Sequence, residues 1–387
     1  MNIEISERLK RLPPYLFVEI DRAKRQAKEQ GRDIIDLGIG DPDRPTPRFI
    51  RDALSEAVKD PSTHRYALDG GLPELKEEIA VWYKNRFNVA LNPENEILPL
   101  IGSKEGIAHM PLAFINPGDT ALVPDPCYPP YKSGVIFCEG KIELLPLLAK
   151  NGFLPDINAI SGPMAERAKI IYLNYPNNPT SACVDEGYFD DVARFASKNN
   201  IIVCHDAAYA ELSYDGYEPA SFLNAEGARE VGVEFHSLSK TFNMTGWRIG
   251  FVTGNKDIIS AIGKVKSNID SGIFTAIQRA GITALKNYNS YIGPVRDLYR
   301  ERRDVLCDGL NSIGWRTDKP KAAFYAWIPC AKNFDSIKLA KYLLDKADIV
   351  VTPGVGFGKN GEGYVRIAFT VETERLKEAV ARIKKVL

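Results

Sequence analysis

Ser237-Leu-Ser239-Lys240-Thr-Phe-Asn-Met-Thr-Gly246-Trp-Arg248 sets one lysine, two serine hydroxyls and an arginine around a short loop between two apolar runs. The glycine at 246 is expected to let the loop fold back, so that Arg248 approaches the groups near Ser237. Hydroxyls and a guanidinium can then hold a phosphate, with the lysine amine at the far end of the phosphorylated molecule. A lysine amine beside a phosphate clamp is suited to condensing with a carbonyl group.

Working outward, related chemistry recurs at the ends of other apolar segments. Ile201-Ile-Val-Cys-His-Asp206 reads as a strand that ends in a carboxylate. In parallel α/β sheets ligands gather at the carboxyl ends of strands, which puts Asp206 at a site. A carboxylate there can keep a ring nitrogen protonated, and Tyr209 can donate a hydrogen bond to an oxygen on the same ring. Taken alone, the pair would read as a helix cap and a packing aromatic. Asn174-Tyr-Pro-Asn-Asn178-Pro-Thr180 follows an apolar run at 170–174, and its prolines rigidify the turn that orients Asn178. Ile101-Gly-Ser103-Lys104-Glu-Gly106 reads as a strand end, a glycine turn and a helix start. Backbone N–H groups at a helix N-terminus make a ready anion site, which Ser103 and Lys104 strengthen. Tyr364-Val-Arg366-Ile-Ala-Phe carries an arginine whose planar fork suits a carboxylate, the blander reading being a surface arginine on an edge strand.

The bulk numbers exclude several classes. Lysine plus arginine balances aspartate plus glutamate, 50 against 50, so no global field draws nucleic acid or a membrane. No basic stripe with interleaved aromatics appears either. Six cysteines form no CxxC pair, and several sit in apolar surroundings, as reduced thiols of a cytoplasmic protein do. The four histidines lack zinc-type spacing, and no metal is expected. The opening Met-Asn-Ile-Glu-Ile-Ser is unlike a secretory signal, and no apolar run reaches membrane-spanning length. Gly38-Ile-Gly40-Asp-Pro-Asp lacks a third glycine and is followed by prolines. Gly354-Val-Gly356-Phe-Gly358 lacks the Lys-Ser/Thr ending of a phosphate loop. Neither is a nucleotide fingerprint.

Short apolar segments alternate with longer helical ones. Strands are expected at 97–101, 120–124, 170–174, 201–205, 233–237 and 249–253, and helices at 48–59, 72–87, 104–114, 130–138, 185–199 and 256–263. This pattern argues for an α/β fold with a mostly parallel sheet covered by helices. One long helical stretch at 274–313 leads to a smaller α+β lobe. There strands are expected at 322–328, 348–352 and 364–369, with helices at 335–346 and 372–386. The 387 residues divide into an N-terminal arm with part of the small domain (1–47), a large domain (48–280) and a C-terminal small domain (281–387).

Together these segments resemble the fold-type I aminotransferases, which use pyridoxal 5'-phosphate. The resemblance covers essentially the whole chain. It implies that Lys240 carries the cofactor and shuttles a proton, that Asp206 pairs with the pyridine nitrogen, and that Tyr209 and Asn178 contact the phenolic oxygen. It implies that Ser103, Lys104, Ser237, Ser239 and Arg248 hold the phosphate, and that Tyr128 stacks on the ring. Arg366 would take the substrate α-carboxylate. Tyr66 resembles a tyrosine that reaches the neighbouring subunit's cofactor, and Asn268 resembles a further contact across that interface. A homodimer with a composite active site is therefore expected. More narrowly, Leu12-Pro-Pro-Tyr15-Leu-Phe, Leu37-Gly-Ile-Gly40-Asp-Pro-Asp43 and Val351-Thr-Pro-Gly-Val-Gly-Phe-Gly look like the LL-diaminopimelate aminotransferases, which pass an amino group between LL-2,6-diaminopimelate and 2-oxoglutarate in lysine biosynthesis. By that resemblance Tyr15, Gly40, Tyr128, Asn178 and Asn268 also touch substrate. Asp69 stands where plant-type members have a glutamate near the distal ammonium. A two-carboxylate substrate needs a cation beyond Arg366, and Lys104 is available. The same machinery also suits an aminotransferase for aspartate, glutamate or an aromatic amino acid.

Overall fold

The computed structural model describes residues 1–387 apart from 2, 13–15 and 68–69. Twelve strands are formed among the described residues. In chain order they are β1 (Ile35–Asp36), β2 (Ile97–Leu100), β3 (Thr120–Asp125), β4 (Lys141–Pro146), β5 (Ala168–Asn174) and β6 (Ile202–Asp206). Then come β7 (Gly232–Ser237), β8 (Gly250–Gly254), β9 (Tyr325–Pro329), β10 (Ile349–Val350), β11 (Thr352–Pro353) and β12 (Tyr364–Ala368).

Seven of these build one sheet in the order β2-β8-β7-β6-β5-β3-β4. Its pairings from β7 through to β4 are parallel, and β8 alone runs against both of its neighbours. The expectation of a mostly parallel sheet holds. Side chains of a strand alternate between its faces, and here both faces are covered. Ile170 and Tyr172 pack with Ile107, Val135 and Ile262 from the helices Ser103–Phe114, Pro130–Phe137 and Lys256–Ser267. Ile171 and Leu173 pack on the opposite side with Tyr83 and Val192 from Pro73–Phe87 and Glu186–Asn199. The apolar run along the whole of β2 and from Ile170 to Leu173 in β5 follows from this double burial.

β4 was not among the expected strands. It is the last strand on one edge, paired only with β3, and most of its side chains are partly or fully exposed. Its mixed Lys-Ile-Glu-Leu-Leu-Pro composition therefore gives no continuous apolar run. The expected helix over 274–313 is two helices, Thr275–Lys286 and Tyr288–Ser312, separated at Asn287, whose φ of −100° and ψ of 10° leave the helical region.

A second, three-stranded antiparallel sheet has the order β11-β12-β9, and β1 pairs in parallel with β10 beside it. Both ends of the chain therefore meet here. Ala368 N–H donates to the Leu37 carbonyl at 2.7 Å. The helices Ser336–Ala347 and Thr373–Lys384 bury Leu339, Leu343, Leu376 and Ile383 in the adjoining core. No helix among the described residues is long and apolar enough to cross a membrane.

Candidate active site

The parallel strands deliver their carboxyl ends to one edge of the large sheet. Asn174 at the end of β5 is in register with Asp206 at the end of β6, and Ser237 ends β7. Because β8 is reversed, its first residue, Gly250, pairs with Ser237. The loop from 238 to 249 consequently opens and closes at the same edge. A cavity of about 500 Å³ lies there, and Ser103, Lys104, Tyr128, Asn178, Asp206 and Tyr209 line it together with Ser237, Ser239, Lys240 and Arg248.

Ser237 caps the short helix Leu238–Thr241, its hydroxyl accepting from Ser239 N–H at 3.2 Å. The chain then reverses at Asn243 and Arg248, with φ of 53° and 55°. Gly246, expected to permit this reversal, does not have a positive φ, and a Cβ there would meet nothing within 4 Å. The glycine that admits Arg248 is Gly102. Its φ is 77°, and a Cβ on it would overlap the Arg248 guanidinium. Arg248 is thereby pressed against the turn that starts the helix Ser103–Phe114. The same turn is braced by Glu105, which accepts from Ile101 N–H at 2.6 Å.

Lys240 points from this loop toward the N-terminal segment, where its ammonium donates to the Gly40 carbonyl at 2.9 Å. Burial pushes it down to about 8. Asp41 and Asp206 oppose that shift, while Arg366 and Arg248 add to it. Asp206 is buried beneath, accepting from the Tyr131 hydroxyl at 2.8 Å and from Ala208 N–H at 3.2 Å. Burial moves its carboxyl above the ordinary range, against the Tyr131 and Ala208 bonds. Tyr209 shares a hydrogen bond with Tyr325, oxygen to oxygen 2.9 Å, and receives one from the Asn178 amide at 3.3 Å.

Arg366 lies on β12, the middle strand of its sheet, and is 4 % exposed. It is not a surface arginine on an edge. It donates to Asn178 Oδ1 at 2.8 Å and to the Gly38 carbonyl at 2.7 Å, between the rings of Tyr325 and Phe357. Its Nε is buried without a partner. Gly40 fits only as glycine, since a Cβ would overlap the Tyr325 hydroxyl. Lysine and arginine thus hold carbonyls two residues apart on one segment.

Two expected residues lie away from this cavity. Tyr66 is 89 % exposed in a surface groove with His64, Arg65 and Phe274. Asn268 ends the helix Lys256–Ser267, its amide donating to the Lys264 carbonyl at 2.8 Å. Tyr15 and Asp69 fall outside the described residues. Sequence reasoning missed Tyr131, Tyr325 and the role of Asn174. The Asn174 amide donates to the Asp206 carbonyl at 2.7 Å and its oxygen accepts from Asn178 N–H at 2.7 Å, so it locks two strand ends together. The position of Asn174 at the start of the proline turn was the available signal. Tyr131 and Tyr325 carry none beyond being aromatic.

A family model described as aminotransferase class I and II matches residues 32–383. The chain is 53 % identical to the LL-diaminopimelate aminotransferase of Syntrophobacter fumaroxidans, covering 98 % of each chain. It is 50 % identical to that of Moorella thermoacetica, over 99 % of this chain and 98 % of the other. Among solved structures, substrate-bound BacF from Bacillus subtilis superposes with a TM-score of 0.95 at 41 % identity, covering 100 % of this chain and 98 % of that one.

Proposed function

The chain belongs to the class I and II aminotransferase family, and we propose that it exchanges an amino group between LL-2,6-diaminopimelate and 2-oxoglutarate. The observation that carries the substrate assignment is the full-length identity of about half to LL-diaminopimelate aminotransferases. The activity serves lysine biosynthesis.

The cofactor proposed is pyridoxal 5'-phosphate, and the donor set suits it. Ser103, Ser237, Ser239 and Arg248 gather hydroxyls and a guanidinium at one end of the cavity, as a phosphate requires. Asp206 supplies a buried carboxylate to which no cationic side chain is hydrogen-bonded among the described residues, as a protonated ring nitrogen requires. Tyr128 offers a ring face, and Asn178 and Tyr209 offer donors for the ring oxygen. When bound, the cofactor supplies an aldehyde that takes up the amino group and a ring that draws electrons from the α carbon.

The side chains of this chain do the rest. Arg366 turns its fork to the substrate α-carboxylate, and the Tyr325 and Phe357 rings keep the guanidinium in place. Lys240 Nζ would take the proton from the α carbon and pass it to the carbon that the cofactor's aldehyde supplies, so that the amino group stays behind. An ammonium lowered to about 8 has a neutral fraction available for this near physiological pH. Lys104, exposed at the cavity wall, meets the distal carboxylate. Residues 48–280 form the cofactor-binding domain, 281–387 together with part of the 1–47 arm form the small domain, and the enzyme acts in the cytoplasm.

A homodimer completes the site in this reading. Tyr66 stands free of its own cavity, and Phe274 in the same groove is 42 % exposed, as surfaces covered by a second copy are. Tyr66 and Asn268 would then serve the partner's cofactor.

The decisive assay supplies LL- and meso-diaminopimelate separately as amino donors with 2-oxoglutarate and measures glutamate. Rapid glutamate formation from the LL isomer supports the assignment. A preference for aspartate or an aromatic amino acid would replace it with the broader aminotransferase reading.

A further inference from the structure

Tyr131 lies on the helix Pro130–Phe137, and its ring is fully buried. The ring stacks on Tyr172, with centroids 5.1 Å apart and planes at 12°, and stands edge-on to Tyr128 at 5.8 Å and 82°. Its hydroxyl donates to Asp206 Oδ2 at 2.8 Å. Among the described residues, the other hydrogen bond to that carboxylate comes from Ala208 N–H, on Oδ1. One tyrosine therefore touches both the acid at the cavity floor and the aromatic on its wall.

We propose that Tyr131 is a positioning residue, whose hydroxyl fixes the Asp206 carboxylate toward the cofactor's ring nitrogen and whose ring sets the orientation of Tyr128 against the same cofactor. This rests on the pyridoxal phosphate reading above. The chemistry of the donor matters. A phenol stabilises a buried carboxylate without adding charge, so the acid keeps its full attraction for a cationic ring nitrogen. A lysine or arginine in this place would neutralise Asp206 and remove that attraction. Stacking on Tyr172 prevents the ring from swinging away, so the hydroxyl has one position to offer. Further titratable groups around Asp206 include His205, His236 and Lys240, none of them hydrogen-bonded to its carboxylate.

Tyr131→Phe removes one oxygen and keeps the stack. In the holoenzyme, kcat should fall about tenfold to a hundredfold, the range for losing a hydrogen bond to a charged group. KM for 2-oxoglutarate should stay within about twofold, because Arg366 is untouched. Cofactor should leave on dialysis about tenfold faster, read from its visible absorbance. In an Asp206→Asn background the same substitution should add less than about twofold, since the two residues act through one bond. Tyr172→Phe removes a buried hydroxyl that has no partner and serves as the control, expected to match wild type. Unchanged turnover and retention in Tyr131→Phe, or equal losses in both backgrounds, would overturn the inference. If the wild-type protein itself shows no visible band with pyridoxal phosphate, the cofactor reading fails first and takes the inference with it.

Discussion

Arg248 occupies the space that a side chain on Gly102 would need, so the two elements proposed to hold the phosphate are in direct contact. One is the turn that opens the helix Ser103–Phe114 and the other is the loop that carries Lys240. Gly102→Ala should displace the guanidinium and also strain a backbone with φ of 77°, costing about 1–2 kcal/mol. Phosphate should bind more weakly, and the melting temperature should fall. Gly246→Ala, at a position with open space and no positive φ, should leave both unchanged or slightly improved. Phosphate titration and thermal unfolding of both variants check this pair.

Lys240→Met should fold and lose turnover almost completely, with no borohydride-trappable cofactor. Its stability should also reveal the burial of the ammonium. The folded protein holds that group at about 8, against 10.5 in the unfolded chain. Between these values the unfolded chain binds more protons, so the apoprotein gains stability as pH rises through the window. Below pH 8 both states are protonated and the penalty is constant. The wild type should therefore be less stable than Lys240→Met at pH 7, and the gap should narrow from pH 8 to 10.5. Melting curves of both apoproteins across that range measure it, and a gap independent of pH would count against the buried charge.

Asp206→Asn preserves shape and removes charge. It should still bind pyridoxal phosphate through the hydroxyls and Arg248, while turnover falls about a hundredfold, as when a buried electrostatic group at a reacting centre is lost. Near-wild-type turnover would reduce Asp206 to a backbone cap on Ala208.

Lys104→Met separates two roles for an exposed cation. A distal-carboxylate role raises KM for LL-diaminopimelate about tenfold and leaves glutamate nearly unaffected. Equal losses for both substrates, with faster cofactor release, would assign Lys104 to the phosphate.

The sequence made the parallel sheet legible because inner strands buried on both faces read as apolar runs, as Ile170–Leu173 does, while Val233-Glu-Phe-His-Ser237 buries polar side chains between its apolar ones. Edge strand β4 escaped because its half-exposed side chains break that run. That Lys240, Asp206 and Asn178 would line one cavity was legible because strand ends and proline turns flag the edge of the sheet where it opens. The contacts of Tyr131 and Tyr325 were not, because each reaches its partner across a long separation, 75 residues in the case of Tyr131 and Asp206. Periodicity carries no information about such pairs. The glycine responsible for admitting Arg248 was misassigned for the same reason, since Gly246 is near in sequence and Gly102 is near in space.

The two halves of the cavity also differ in when a growing chain can build them. The lysine loop closes over a dozen residues between adjacent strands, β7 and β8, and needs only the large sheet. Arg366 must find the Gly38 carbonyl, 328 positions earlier, and β1 must await β10. In a polypeptide that emerges from its N-terminus onward, the Gly38 carbonyl is made early and stays without its Thr352 and Arg366 partners until almost the whole chain has been released. An unfinished chain could thus grip a phosphate while having no means of selecting an amino acid.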